Sequence, residues 1–123
     1  MTWREIGVEN YRAAKSLQKV KQWRSSVSRS YHAAYSVIAG ELEGKATYPH
    51  GLQNPPHESV PKLVMNRLTS LRMRERRRVS STMVRLFLYR VDADYRPRRT
   101  VDRATAASAA VLVTDVFKIT GLL

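Results

Sequence analysis

The sequence predicts an all-α fold: a four-helix up-and-down antiparallel bundle with an additional short or C-terminal helix. Three observations predict it. Apolar residues recur at spacings of three and four along most of the chain. No segment sustains two-residue alternation with β-branched enrichment. The periodic segments are joined by short polar connections, with one long exception. At 123 residues the chain is one domain, residues 1–123, with material for one modest core.

The first periodic segment runs from Trp3 to about Gln22, with Trp3, Ile6, Tyr11, Ala14, Leu17 and Val20 on its apolar face. Thr2 is its expected N-cap, and Glu5 three residues on completes a capping box. Gly7 weakens this helix slightly. A second helix is expected from about Ser25 to Leu42. Its apolar face carries Val27, Tyr31, Ala34, Tyr35, Ile38 and Leu42, and its polar face Ser25, Arg29, His32 and Ser36. The short connection makes these two helices antiparallel neighbours.

Periodicity fails from Gly44 to Ser59, where Pro49, Gly51, Asn54, Pro55 and Pro56 accompany His50 and His57. A third helix starts near Ser59, with Pro61 tolerated in its first turn and Val60, Leu63, Val64, Leu68 and Leu71 as its stripe. The run Arg72 to Arg78 follows. No glycine or proline breaks it, so the boundary between third and fourth helices stays open. The fourth helix continues through Val79, Met83, Leu86 and Phe87 to Arg90, and Asp92 to Pro97 reads as a loop. Thr100 is the expected N-cap of a last helix ending at Thr120 and Gly121. Ala104, Ala106, Ala107, Ser108, Ala109 and Ala110 permit close helix approach there, while Val113, Val116 and Phe117 fill the core.

Composition narrows the function classes. The chain has no cysteine, which excludes disulfides, thiolate metal sites and cysteine nucleophiles. The N-terminal residues do not read as a signal peptide, and no apolar run is long enough for a membrane span. The expected setting is therefore cytoplasmic, with no membrane partner. The net charge is +12, carried by sixteen arginines and six lysines. Such a field attracts polyanions, and arginine's planar fork suits phosphate. Twelve of the arginines lie between Arg67 and Arg103, against Glu75, Asp92, Asp94 and Asp102. His50 and His57 lack partners at metal-ligand spacing, and no glycine-rich phosphate loop is present. No metal and no cofactor are expected.

One residue breaks the pattern. Arg90 falls four after Leu86 and three after Phe87, on the apolar stripe of the fourth helix. A charge there is costly unless it is paired or near water. Asp92 or Asp94 is in reach to pair with it, and Tyr95 to hydrogen-bond.

Two segments carry a resemblance. Arg29-Ser30-Tyr31-His32-Ala33-Ala34-Tyr35 resembles the Arg-x-Tyr-Tyr-Ala-x-Phe/Tyr signature of the second helix of HEPN domains. Arg90-Val91-Asp92-Ala93-Asp94-Tyr95 resembles the Arg-x-x-Ala-Asp-Tyr segment of their fourth helix. The order of elements agrees over nearly the whole chain. The resemblance implies a helical bundle, a homodimer with a cleft at its interface, and RNA as target. It also implies a toxin-like protein paired with a nucleotidyltransferase antitoxin, many relatives being metal-independent ribonucleases.

The ribonuclease motif of that family is an arginine, four to six residues, then a histidine. Arg90 matches the arginine, Tyr95 stands in the histidine's place, and Val91 replaces the usual polar residue. Metal-free RNA cleavage needs a base for the 2′-hydroxyl, an acid for the leaving 5′-oxygen and cations for the developing phosphorane charge. An ordinary phenol titrates at about 10 and is a poor base at neutral pH. On this resemblance the expected catalytic set is Arg90 on the scissile phosphate, Asp94 orienting it, and Tyr95 positioning the ribose or serving as a modifiable hydroxyl. His32 is a substitute base if the second and fourth helices meet. The expected RNA-binding set is Arg29, His32, Arg74, Arg76, Arg77, Arg78, Arg96, Arg98 and Arg99. Exposed tyrosine and alanine faces on the second and last helices are the expected dimer interface. The alternative is a non-catalytic module that recruits RNA, nucleotide or a nucleotidyltransferase through its basic surface.

Overall fold

A computed structural model describes all residues, Met1–Leu123. The helices are α1 (Trp3–Lys19), α2 (Trp23–Leu42), α3 (Val60–Arg67), α4 (Met73–Tyr95) and α5 (Arg103–Ile119), with 3₁₀ turns at Pro49–Gly51 and His57–Ser59. The four long helices, α1, α2, α4 and α5, form an up-and-down bundle, and α3 is the additional short helix. No helix is long and apolar enough to cross a membrane.

Each boundary has a local cause. Thr2 and Glu5 form the capping box of α1. The chain leaves that helix through Lys21, which takes a left-handed φ of 62°. The Lys21 and Gln22 amides then close on the Gln18 and Leu17 carbonyls, the paired bonds of a Schellman ending. Gly121 ends α5 in the same conformation, as expected. Asp102, not Thr100, caps α5, its carboxylate accepting from the Thr105 amide. Helices α3 and α4 separate at Leu68–Arg72 with no glycine or proline. There Arg76 turns back and donates from Nε to the Leu71 carbonyl and from Nη1 to that of Met65. A side chain thus satisfies carbonyls that a continued helix would have used.

Helix α2 is the axis of the molecule. It contacts all the other α-helices, and Val27, Tyr31, Ala33, Ala34, Ile38, Ala39 and Leu42 are buried along it. Its expected polar face is divided, with Ser25 and Arg29 exposed. Ser36 is buried and His32 half-buried, while buried Ser26 donates to the Ala14 carbonyl at 2.8 Å. Tyr31 and Tyr35 are also core residues, so the exposed tyrosine face expected on this helix does not exist. On α5, Ala106 and Ala109 are spent in the same core. The tyrosine face is lost because a helix surrounded by neighbours buries more than one stripe, whereas Ala104 and Ala107 of α5 remain exposed.

Contacts of Ala14 with Ser26 and of Gly7 with Val37 run α1 antiparallel to α2. Those of Asp94 with Ser28 and of Arg90 with Tyr31 do the same for α4. The ends of α2 and α4 that carry the two quoted motifs are thereby set side by side.

A candidate arginine–histidine cleft

Helix α4 does not stop at Arg90 but continues to Tyr95. The expected loop from Asp92 is its last turn, because Arg24 holds that turn and the loop after it. The Arg24 guanidinium donates to the carbonyls of Asp92, Ala93, Arg96, Pro97 and Arg99. The last carbonyls of a helix lack intrahelical partners, and here one side chain supplies them. Nothing in the sequence distinguished Arg24 from the other arginines.

Continued helix fixes the geometry of the motif. Four and five residues beyond Arg90, Asp94 and Tyr95 come round beside its side chain. Arg90 Nε donates to Asp94 Oδ2 at 3.0 Å, and Nη2 donates to the Tyr95 hydroxyl at 3.1 Å. Ser28 Oγ, from α2, donates to the same Asp94 oxygen at 3.0 Å. The Arg90 side chain is only 16% exposed, and its guanidinium carbon lies 5.0 Å from the ring centre of Tyr95 and 5.8 Å from that of Tyr31. A guanidinium has five N–H donors, so these bonds leave three for a ligand. Asp92 turns away, with its carboxylate 3.8 Å from Arg96 and 3.6 Å from Arg99.

Around this arginine the fold assembles what spacing along the chain does not contain. His32 approaches from α2 and His57 from the 3₁₀ turn before α3. Their rings face edge to face at 6.3 Å and 87°. His57 stacks on Tyr35 at 4.3 Å and against Phe87 at 6.4 Å. Burial lowers the pKa of both histidines, and the nearby Arg90 charge lowers both further. Both imidazoles are therefore held neutral at pH 7.

Tyr31 decides the state of one ring. Its hydroxyl is 2.6 Å from His57 Nδ1, and burial raises its pKa far above the usual phenol range. It stays protonated, and where its hydroxyl donates to Nδ1 the remaining proton of His57 sits on Nε2. Tyr35, raised likewise by burial, donates to the Pro55 carbonyl and accepts from Asn54 Nδ2. These two tyrosines tie the long Gly44–Ser59 connection down over the site. By this route His57 reaches Tyr31, 26 residues back along the chain, whose ring Arg90 flanks at 5.8 Å.

A cleft of about 600 Å³ lies beside the group, lined by Ser28, Arg29, His32 and Asp94 among others but not by Arg90 itself, while His57 lines a separate small pocket with Tyr31 and Phe87. Arg29 stands exposed at its mouth, bonded to Asn10 Oδ1 at 3.0 Å. The other basic residues divide by environment. Arg74, Arg77, Arg96, Arg98 and Arg99 are exposed. Arg78 pairs with Asp115 at 2.8 Å. Arg76 is folded onto carbonyls and presents less of its charge outward. No family model, curated protein or solved structure matches this chain. The chemistry of the cleft therefore rests on its own residues.

Proposed function

We propose that this chain is an RNA-directed protein of the HEPN type, acting as a metal-independent endoribonuclease and as the toxin-like half of a module with a nucleotidyltransferase antitoxin. One observation carries the reading: His32 and His57 pair edge to face at 6.3 Å within the electrostatic reach of Arg90. The position after the arginine holds Tyr95, but two imidazoles from other elements restore the missing acid–base chemistry.

In this mechanism the scissile phosphate docks on the free donors of Arg90, which Asp94 holds in place. His32 takes the proton of the ribose 2′-hydroxyl as its oxygen attacks phosphorus. The O2′–P bond forms, the P–O5′ bond breaks, and Arg90 stabilises the charge gathering on the phosphorane. His57 is the acid through its minor doubly protonated fraction, in which the Tyr31 hydroxyl accepts from Nδ1, and that fraction delivers a proton to the departing 5′-oxygen. The products are a 2′,3′-cyclic phosphate and a 5′-hydroxyl. Tyr95, largely exposed beside Arg90, is the hydroxyl that a nucleotidyltransferase partner would modify to block phosphate binding.

The test is incubation of end-labelled RNA with the protein in EDTA, beside Arg90→Ala, His32→Ala and His57→Ala. Cleavage that survives EDTA and falls by about 10²–10³ in Arg90→Ala is the expected result. Intact RNA with the unaltered protein overturns the nuclease reading. A non-catalytic binding module is favoured by one observation, that Asp94 and Tyr95 already satisfy part of Arg90. It leaves RNA uncut while binding persists.

The proposal includes a homodimer, on a different surface from the one first expected. Val84, Leu88, Val91 and Tyr95 follow one another at i, i+4, i+7 and i+11 on α4, and Val84, Leu88 and Tyr95 are among the exposed large hydrophobic residues. This stripe leads directly to the cleft.

A further inference from the structure

A second concavity lies apart from the Arg90 cleft. It is a groove of about 730 Å³ between α4 and α5, lined by Arg78, Ser81, Thr82 and Arg85 from one helix and by residues including Asp115 and Lys118 from the other. At about 100° per residue, Arg85 and Arg90 diverge by about 140° around α4. The groove and the cleft therefore open on different sides of the same helix.

The charges in the groove are unequal. Arg78, Arg85 and Lys118 face a single carboxylate, Asp115, which Arg78 already meets at 2.8 Å. Arg78 remains 65% exposed in spite of that pair. Arg74, one turn before Arg78 and also exposed, extends the row toward the start of α4. Arg74, Arg78 and Arg85 are spaced i, i+4 and i+11, so at 1.5 Å per residue the row is about 16–17 Å long. Stacked nucleotides advance about 3.4 Å per phosphate along one strand. The row thus spans about five steps, or about six consecutive phosphates.

We propose that the α4–α5 groove is a phosphate-backbone track for single-stranded RNA, separate from the Arg90 cleft and supplying affinity where that cleft supplies chemistry. The inference rests on the reading of the chain as RNA-directed, but not on its being a nuclease. The groove favours a nucleic-acid backbone over an acidic polypeptide for a physical reason. Its arginines, with Arg74, lie in one row along α4, which follows the regular spacing of a phosphate backbone, and arginine's planar fork suits phosphate and nucleic-acid recognition. No aromatic ring lines it, so bases have no stacking platform and the track is indifferent to sequence.

The test uses the whole chain and a fluorescent 2′-O-methyl oligouridylate of about twelve nucleotides, which keeps the phosphates but lacks the attacking hydroxyl. Affinity is measured by anisotropy across a sodium chloride series. In Arg85→Gln/Lys118→Gln, with two phosphate contacts removed, the slope of log K against log salt becomes shallower by about 1.4. Arg74→Gln/Arg85→Gln gives a similar loss from the other end of the row. Circular dichroism melts check that these surface variants remain folded. An unchanged slope in both variants overturns the track, even if Arg90-dependent cleavage is present. A lowered slope supports it, even if the unaltered protein never cuts RNA. Failure of the unaltered protein to bind the oligomer overturns it, as does polyglutamate competing better than RNA at equal charge and losing that advantage in the variants.

Discussion

His32 and His57 are neutral in the fold because burial and the Arg90 charge both oppose protonation. In the unfolded chain each titrates at about 6.5. Below that pH the unfolded state takes up protons that the folded state refuses, so stability falls with falling pH. The loss begins near pH 6.5 and accumulates down to the lowered folded values. Melts between pH 7.5 and 5.5 should show a declining midpoint, and His32→Asn/His57→Asn should flatten the decline. An equally steep decline in that variant would place the titrating groups elsewhere. This range lies above ordinary carboxylate titration, so Asp102, held low by hydrogen bonds from Thr105, does not contribute. At this scale the sequence was legible in part. The phase of Arg90 on an apolar stripe marked it as exceptional, and Asp94 and Tyr95 do meet it. The role of His57 was not legible, because its contact with Tyr31 depends on where a long proline-rich connection returns. Arg24 was equally silent, since its carbonyl partners lie about seventy residues on.

Helix α1 approaches α2 through Gly7, whose use is not visible from propensity alone. A Cβ built there would lie 2.6 Å from Val37 Cγ2 and 3.1 Å from the Ala33 carbonyl oxygen. In an open helix, Gly→Ala gains about 1 kcal/mol. Here Val37 is β-branched, buried and stiff at χ1, and the Ala33 oxygen belongs to backbone. The methyl must displace α1, at a cost of about 1–3 kcal/mol. Gly7→Ala should therefore be neutral to destabilising by about 2 kcal/mol in urea unfolding. A gain near the full propensity value would show that the two helices are free to separate. The same physics explains which elements could be read. Thr2–Glu5 and Gly121 are local signals and mark their helix ends. The last turn of α4 and the α3–α4 break are fixed by Arg24 and Arg76 across space, so window-based patterning misassigned the first and left the second open.

Across the whole molecule a contact force and a long-range force act on self-association in opposite directions. The apolar stripe of Val84, Leu88 and Tyr95 on α4 is exposed, and covering it against a second copy is favourable. Yet each copy carries a net charge of +12, and bringing two together concentrates that charge. The repulsion is long-ranged and screened by salt, with a Debye length of about 10 Å at 0.1 M and about 3 Å at 1 M. The apolar contact is not weakened by such screening. Association of the proposed homodimer should therefore strengthen as salt rises, whereas RNA binding should weaken. Light scattering at micromolar protein is expected to show the mass rising toward twice the 14.1 kDa chain as sodium chloride increases. Leu88→Glu, which sets a charge in the middle of the stripe, should hold the protein monomeric at every salt concentration. A monomer throughout the series removes the dimer. A dimer that persists in Leu88→Glu moves the interface to another face, and the cleft then functions within one chain.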